Sequence, residues 1–499
     1  MITLLLIIPL LGILTLVPMG GGSFGENSIQ SDRKMKQVAL AASMLNFIVS
    51  MVLWSEFDSS SSEYQFTQEF TEANFFVSSP AVFSNLKLGI DGISLYFVLL
   101  TTFITPICIL SNWDNIKHNL KSFLIAFLLL ETLLVAVFTV CDLLLFYVFF
   151  ESVLIPLFLI VGIWGGTKDA SRIRAAFLLF LYTLFGSLFM LLAFLVIFYN
   201  IGSTDFQVVS LLSNEITLDS QKLLWLAIFI SMAIKTPLLP FHVWLPRAHA
   251  EAPLAGSVIL AGLILKLATY GYMRILIQFL PDATAYFSPL VQTIAVVTLI
   301  YASLATLRQT DFKALVAYSS IGHMAVVVLG LFSNTIQGID GAILLSIAHG
   351  VVSPALFILV GGVLYDRYHT RVIRYYRGVT AYMPVFSLLF FVFTIFNAAV
   401  PLSANWAGEM LCLTGAFLRN PIFAILGSTG IVLSAAYSIW LYNRIAFGGW
   451  SYYLNYTTDI SRREFMVLIP LLIVAVVFGV FPNIVLDQVH ASASTLIYS

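Results

Sequence analysis

The chain has 499 residues, 60% of them hydrophobic and 10% charged, with a formal net charge of -1 and a mean hydropathy of +0.97. That balance excludes an ordinary water-soluble domain, and the near-zero charge excludes a broad basic nucleic-acid surface. Cys108, Cys141 and Cys412 stand apart, with no CxxC or Cys/His cluster, which argues against a disulfide framework, a zinc site or iron–sulfur ligation.

Apolar runs of roughly 17 to 28 residues recur along the chain, the length that crosses about 30 Å of hydrocarbon. In chain order they predict about 14 helices, at 1–19, 36–54, 92–111, 121–140, 143–163, 175–199, 222–244, 253–276, 286–307, 312–332, 340–365, 383–418, 421–446 and 464–486. The first run has no basic leader and no small-residue cleavage site, so a retained helix is expected rather than a signal peptide. The runs are continuous rather than alternating, which excludes a barrel. The expected fold is an all-α polytopic membrane protein.

Charge placement tests the count, because Lys and Arg should gather in alternate loops. Most of the 24 basic residues fall in the loops after odd-numbered segments, among them Arg33, Lys34, Lys36, Lys168, Arg172, Arg174, Arg367, Arg371, Arg374, Arg377, Arg462 and Arg463. The opposite loops hold only Lys87, Lys222, Arg274 and Arg419. An even helix number follows, with both termini on the outer, base-poor side. The Ser-rich stretch WSEFDSSSSEYQFTQEFTEANF carries Glu56, Asp58, Glu63, Glu69 and Glu72 with no basic partner in sequence, and is expected to be a weakly structured outer surface.

Segments 7 and 12 are interrupted. Pro237 and Pro240 release the carbonyls of Ala233 and Thr236, and Pro401 releases that of Asn397, with Ser403 or Asn405 available to cap a restarted helix. Broken helices at membrane depth persist where they are buried in protein or line a watery cavity. Each break is the fourth helix of a five-helix unit, and odd-numbered repeats are inverted in the membrane. The expected organisation is 1–120 with helices 1–3 and the acidic loop, a first repeat at 121–280 with helices 4–8, a second at 281–450 with helices 9–13, and 451–499 with helix 14 and a tail.

Four ionisable side chains sit inside apolar stretches: Glu151 in LLLFYVFFESVLIPLFLIVG, Lys235 in LAIFISMAIKTPLLP, Lys266 in GSVILAGLILKLATYGY and Glu409 in LSANWAGEMLCLTG. A charge at mid-membrane costs at least about 2.5 to 3.5 kcal/mol, so such residues mark polar pathways. Helix dipoles favour Lys235 near a carboxyl end and Glu409 near an amino end. His323 and His349 can bridge the lysines to Glu409, since imidazole titrates near neutrality. The bland readings are a static Glu151–lysine pair, snorkelling lysines and hydrogen-bonded core histidines. Asp142 reads as interfacial, and Arg308, Asp311 and Lys313 as anchors in a short basic loop. Glu131 fits three readings: a path residue, a packing contact or a misplaced segment.

The strings LLLFYVFFESVLIPLFLIVGIWGG, IKTPLLPFHVWLPRAHAEAPLAGSVILAGLILKLATYGYMR, LRQTDFKALVAYSSIGHM and SIAHGVVSPALF resemble the antiporter-like membrane subunits of respiratory complex I. The pattern NxAxPxxxNxxGE, ending in Glu409 where sister subunits tend to carry Lys, matches one branch of that family. The resemblance implies 14 helices, two inverted repeats and one proton route. It implies Glu151 and Lys235 as paired input, Lys266 as central relay, His323 and His349 as the connection and Glu409 as the terminal residue. NADH, FMN, iron–sulfur clusters and ubiquinone would belong to partner subunits, with no cofactor or metal in this chain. The implied partners are the other membrane subunits of the complex, especially the antiporter-like sisters, with lipid, protons and water, and no nucleic acid. The implied location is the mitochondrial inner membrane, in wording closest to plant versions, with basic loops in the matrix and both termini on the intermembrane-space side. A bacterial plasma membrane is the alternative. The rival function is a cation/proton antiporter subunit of the related multisubunit Na⁺/H⁺ antiporters, and a third reading is a static membrane scaffold.

Overall fold

The structure, a computed structural model, describes residues 1–19, 26–70, 86–116, 118–166, 169–212, 216–449 and 451–498; Glu72 and Lys168 lie outside the described residues. The elements begin with helices α1 (Ile2–Leu16) and α2 (Glu26–Ser55), then strands β1 (Gln65–Phe70) and β2 (Leu86–Ile90). Helices α3 (Gly92–Ser111), α4 (Leu120–Thr139), α5 (Leu143–Ser152), α6 (Leu154–Trp164), α7 (Asp169–Ile201), α8 (Phe206–Leu212) and α9 (Leu218–Lys235) follow. After the first break come α10 (Trp244–Glu251), α11 (Leu254–Ile259), α12 (Leu265–Gly271), α13 (Pro281–Leu307), α14 (Phe312–Leu331), α15 (Ile336–Phe357), α16 (Tyr365–Tyr368) and α17 (Pro384–Asn397). After the second come α18 (Ala404–Arg419), α19 (Pro421–Ala446), α20 (Arg462–Val480) and α21 (Asn483–Tyr498). Among the described residues, 11 helices, some built of joined pieces, are long and apolar enough to cross a membrane; Ile2–Leu16 and Pro384–Asn397 are shorter apolar helices.

Helix starts follow the local polar residues. Asp91 caps α3 in a reciprocal capping box with Ser94, Asp142 caps α5 through Leu145 N–H and Ser461 caps α20 with Glu464 returning the bond. Asp142 is thus the cap that opens α5.

Burial separates an inner set of helices from an outer one. The spans Leu254–Ile277 and Ile336–Tyr368 are enclosed along their most apolar stretch, while α2, α19 and α20 are mostly uncovered. The uncovered faces carry large apolar side chains such as Leu45, Val432 and Ile473, which water would disfavour and lipid accepts. Close approach holds the inner set together. A Cβ on Gly350 of α15 would meet the Gly262 carbonyl at 3.1 Å and Leu100 at 2.6 Å, and one on Gly408 of α18 would meet the Leu345 backbone at 2.7 Å. Glycine at these two positions lets α15 lie against the Lys266 segment on one side and against α18 on the other.

Four expectations are corrected. The fold is not wholly helical: β1 and β2 pair antiparallel, with Gln65 opposite Ile90 and Phe70 opposite Leu86. The ribbon takes in part of the acidic loop, and Glu69 does have a basic partner, Lys87 at 3.6 Å. Leu88, Gly89 and Ile90 are all buried at the end of β2, so the ribbon is ordered by packing of that end against the helices, which the Ser-rich stretch before it did not signal. Arg274 is not in an exposed loop: it is 3% exposed, lies in a π-turn at Tyr272–Ile277 and pairs with buried Asp91. At the C-terminal end α21 packs on α3, where Tyr96 Oη donates to the Ile484 carbonyl at 2.6 Å. Lys313 is buried in the first turn of α14 rather than anchoring a loop.

Glu131 lies inside an unbroken α4, 1% exposed, so no segment is misplaced there. Asn46 Nδ2 of α2 donates to its Oε1 at 2.7 Å, while Glu131 Oε2 and Asn46 Oδ1 have no other partner. This is half of an acid–amide ring, which a proton on Oε2 would close. The contact ties α2 to α4 and fits the packing reading. Glu131→Gln should keep the pairing, whereas Glu131→Leu should cost about 1–3 kcal/mol by orphaning the amide. Thermal melting of the purified assembly decides, and equal midpoints for both variants would remove this role.

Candidate functional site

The site begins with Lys266, fully enclosed on α12. A π-turn at Leu260–Ile264 precedes it, and Nζ donates to the Ala261 carbonyl at 2.7 Å. Its second partner is His349 Nδ1 at 2.8 Å. Without a carboxylate partner among the described residues, an ammonium here is costly, and the nitrogen–nitrogen contact gives its proton a second home. The same geometry serves a charged lysine donating to neutral imidazole and a neutral lysine accepting from it.

His349 Nε2 is buried without a protein partner, and the ring lies 5.7 Å, centroid to centroid, from that of His323 on α14. His323 Nδ1 is 2.8 Å from Glu409 Oε1, and its Nε2 is 3.1 Å from Asn397 Oδ1. Glu409 is the sixth residue of α18, one turn beyond the reach of the helix terminus. His323 is therefore its chief partner, a correction to the dipole argument. Ser403 caps α18 as expected, and Asn405 does not: both atoms of its buried amide are without partners.

The other pair is looser. Lys235 is the last residue of α9, 1% exposed, at the carboxyl end that favours a cation. Nζ donates to the Phe150 carbonyl at 3.2 Å and lies 3.3 Å from the centroid of the Phe150 ring. Glu151 is the next residue in the chain, with Ser187 against its carboxylate and Oε1 unpartnered. Lys235 and Glu151 are neighbours that do not form a close ion pair. At the break itself, Leu238 N–H takes up the Ala233 carbonyl at 2.9 Å and Trp244 Nε1 ties α10 back to the Ile234 carbonyl at 2.8 Å.

Of the six expected residues, the structure brings together Lys266 with His349, His323 with Glu409, the two imidazoles with each other, and Lys235 with the Glu151 backbone neighbourhood. No hydrogen bond among the described residues joins Lys235 to Lys266. Sequence reasoning missed His249 on α10, fully buried, stacked 4.6 Å from Phe357 and unpartnered at both ring nitrogens. Lys313 and Lys266 are the charges acting on it. The signal was present, since His242 and His249 are seven apart, on one helical face, directly after a break. Lys313 also faces a cavity of about 150 Å³ with Asn112, Asn115, Asp366 and Arg371. Asp311 lies beside this cluster, outside the spans, where burial holds its carboxyl above the usual range against the opposing pull of Arg371. Among the described residues, no group of His, Cys, Asp and Glu could hold a metal ion.

Removing the Phe150 ring should loosen Lys235, because a desolvated cation–π contact is worth about 2 kcal/mol. Phe150→Leu should shift Nζ into ion-pair distance of Glu151 in a cryo-EM structure of the assembled protein. An unmoved lysine would show that the carbonyl alone holds it.

Residues 141–434 match a family model described as NADH:quinone oxidoreductase/Mrp antiporter, TM. The chain is 82% identical to NADH-ubiquinone oxidoreductase chain 4 of Mycosarcoma maydis, over 100% of both sequences. It is 49% identical to chain 4 of Arabidopsis thaliana, over 93% of this chain and 92% of that one, so the expected likeness to plant versions is exceeded by a fungal one. A chain in the structure of respiratory complex I from Thermus thermophilus with bound NADH aligns over 100% of both chains at 27% identity and a TM-score of 0.86. A chain of the Mrp complex from Dietzia shares the fold, with a TM-score of 0.84 at 17% identity over 99% of this chain and 97% of that one.

Proposed function

The chain belongs to the NADH:quinone oxidoreductase/Mrp antiporter family of membrane subunits, and we propose that it is the chain 4 proton-translocating subunit of complex I. The observation that carries this reading is the enclosed series Lys266–His349–His323–Glu409, built of two short hydrogen-bonded contacts and two facing imidazoles. The identity of 82% to a chain 4 favours it over a Na⁺/H⁺ antiporter subunit.

In this mechanism a proton enters from the polar cavity at Lys313 and Asp366 and reaches Lys266 by way of His249. Lys266 hands it to His349 Nδ1. His349 Nε2 faces His323, and a bridging water between the rings carries the next transfer. His323 Nδ1 then passes a proton to Glu409 Oε1, from which it leaves. Glu151 and Lys235 set the field: when Lys235 turns from the Phe150 carbonyl to Glu151, its charge is neutralised and an ammonium at Lys266 becomes less costly. Electron transfer from NADH to ubiquinone, with FMN and iron–sulfur clusters, takes place in partner subunits, and the antiporter-like sisters and other membrane subunits are its neighbours.

The chain then crosses the mitochondrial inner membrane 14 times, counting α1 and joining α9 with α10 and α17 with α18. Two inverted five-helix repeats, 121–280 and 281–450, lie between 1–120 and 451–499, with both termini on the intermembrane-space side. Matching interruptions in the fourth helix of each unit support the repeat, and the alternation of basic loops supports the orientation.

Glu151→Gln and Lys266→Met in assembled complex test the relay. NADH-driven proton pumping should fall at least tenfold in each, a loss of about 1.4 kcal/mol or more of transition-state stabilisation. Unchanged pumping in a normally assembled complex would sink the mechanism and leave the scaffold reading, and sodium-dependent exchange without NADH would favour the antiporter reading.

A further inference from the structure

His323 is held between two acceptors. Nδ1 faces Glu409 Oε1 and Nε2 faces Asn397 Oδ1, so both ring nitrogens are engaged, and where the protons sit decides which atom donates in each contact. Asn397 closes α17 at the second break and is 5% exposed, and its Nδ2 donates onward to Ser438 Oγ on α19 at 3.2 Å. An amide is a donor at one end and an acceptor at the other, nearly identical in shape when rotated by half a turn. A serine hydroxyl accepts or donates as required. The trio therefore has two fully paired forms. With a proton on Nε2, the amide presents Oδ1 to the ring and Nδ2 to Ser438. With Nε2 empty, the rotated amide donates from Nδ2 to the ring, and Ser438 donates to Oδ1.

We infer that Asn397 is a positioning residue whose amide rotates with the proton on His323 Nε2, so that gaining or losing that proton leaves no buried polar atom unpaired. The step is balanced: an N–H bond breaks at His349 Nε2 and, through the bridging water, one forms at His323 Nε2 as the His323 Nδ1–H bond breaks toward Glu409 Oε1, so His349 loses the unit of charge that the His323–Glu409 pair gains. Without such a partner, one of the two ring states would leave a buried nitrogen unsatisfied, and the relay would settle in the other. The rotation also gates the transfer in both directions, because the Nδ2–H that caps an empty Nε2 must move aside before the next proton lands. The titratable groups around the trio are Glu409 and Cys412 on α18, His349 on α15 and Tyr437 on α19, whose phenol also reaches Asn397. Behind His349 stand Lys266 and His249.

This inference rests on the proposed relay through His323. It is tested by the pH dependence of NADH-driven pumping in assembled complex carrying Asn397→Asp or Asn397→Leu. The carboxylate only accepts, holds the Nε2 proton and should move the alkaline limb up by about one to two pH units, the equivalent of one hydrogen bond to a charged group. Leucine does neither and should move it down. Opposite shifts support the inference; shifts in one direction, or equal loss with an unmoved profile, overturn it. If either variant fails to assemble, Ser438→Ala should lower turnover severalfold and Ser438→Thr should restore it, and wild-type behaviour of Ser438→Ala would overturn the inference. Failure here, with Lys266→Met still inactive, would leave the relay standing without its amide switch.

Discussion

The structure depends on one constraint: a lysine enclosed by protein, with no carboxylate partner among the described residues, must have its charge held by other groups. Lys266 meets this through a carbonyl at 2.7 Å and an imidazole at 2.8 Å. A salt bridge in the same place would hold the proton too firmly to pass on, since separating a buried pair costs about 3–5 kcal/mol. A nitrogen–nitrogen contact instead offers the proton a neutral acceptor, with no countercharge to hold it back. The packing follows from keeping that contact short. Gly262 and Gly350 let the two helices touch through backbone, and both spans are enclosed along their most apolar stretch, so lipid never competes for the polar atoms.

The two helix breaks serve this centre differently. At the first, a helix ends on Lys235, and the charge rests on the Phe150 carbonyl and ring. It is held by weak contacts that a modest change of field can undo. At the second, the chain end of α17 supplies Asn397 and the restart supplies Glu409, so both sides of the break close on His323. The first break leaves Lys235 on a carbonyl and a ring, and the second gathers an amide and a carboxylate around one imidazole. That asymmetry fits a push at Lys235 and a transfer at Glu409 better than two equivalent sites.

Much of this was legible in the sequence, for particular reasons. Long apolar runs located the spans because hydrocarbon thickness fixes their length. Proline located the breaks, and ionisable residues far from the run ends identified Glu151, Lys235, Lys266 and Glu409. That His323 and His349 could bridge the lysines to Glu409 was expected from residue type, but which atoms meet depends on contact across the chain and was not legible. His349 meets Lys266 across 83 residues and His323 meets Glu409 across 86, and no local pattern encodes either distance. The π-turns flanking Lys266 have no reliable residue signature. Arg274 and Lys313 were misjudged for a common reason: each stands near a segment end, where a basic residue ordinarily reaches water. Arg274 instead finds Asp91, and Lys313 turns inward to the Ala252 carbonyl at 3.4 Å and the Tyr365 ring at 5.2 Å.

Lys313 changes what kind of path this is. A lone lysine at the centre would have to draw its proton straight from bulk water through a packed helix pair. With Lys313, His249 and Lys266 in sequence, two ammonium sites flank an imidazole that has neither nitrogen engaged by protein. Two positive charges around one ring repel, so occupancy of Lys266 discourages loading of His249, and departure of that proton invites the next. In the proposed path such a line would move one proton at a time, with repulsion among its own members adding to the effect of the distant pair at Glu151 and Lys235.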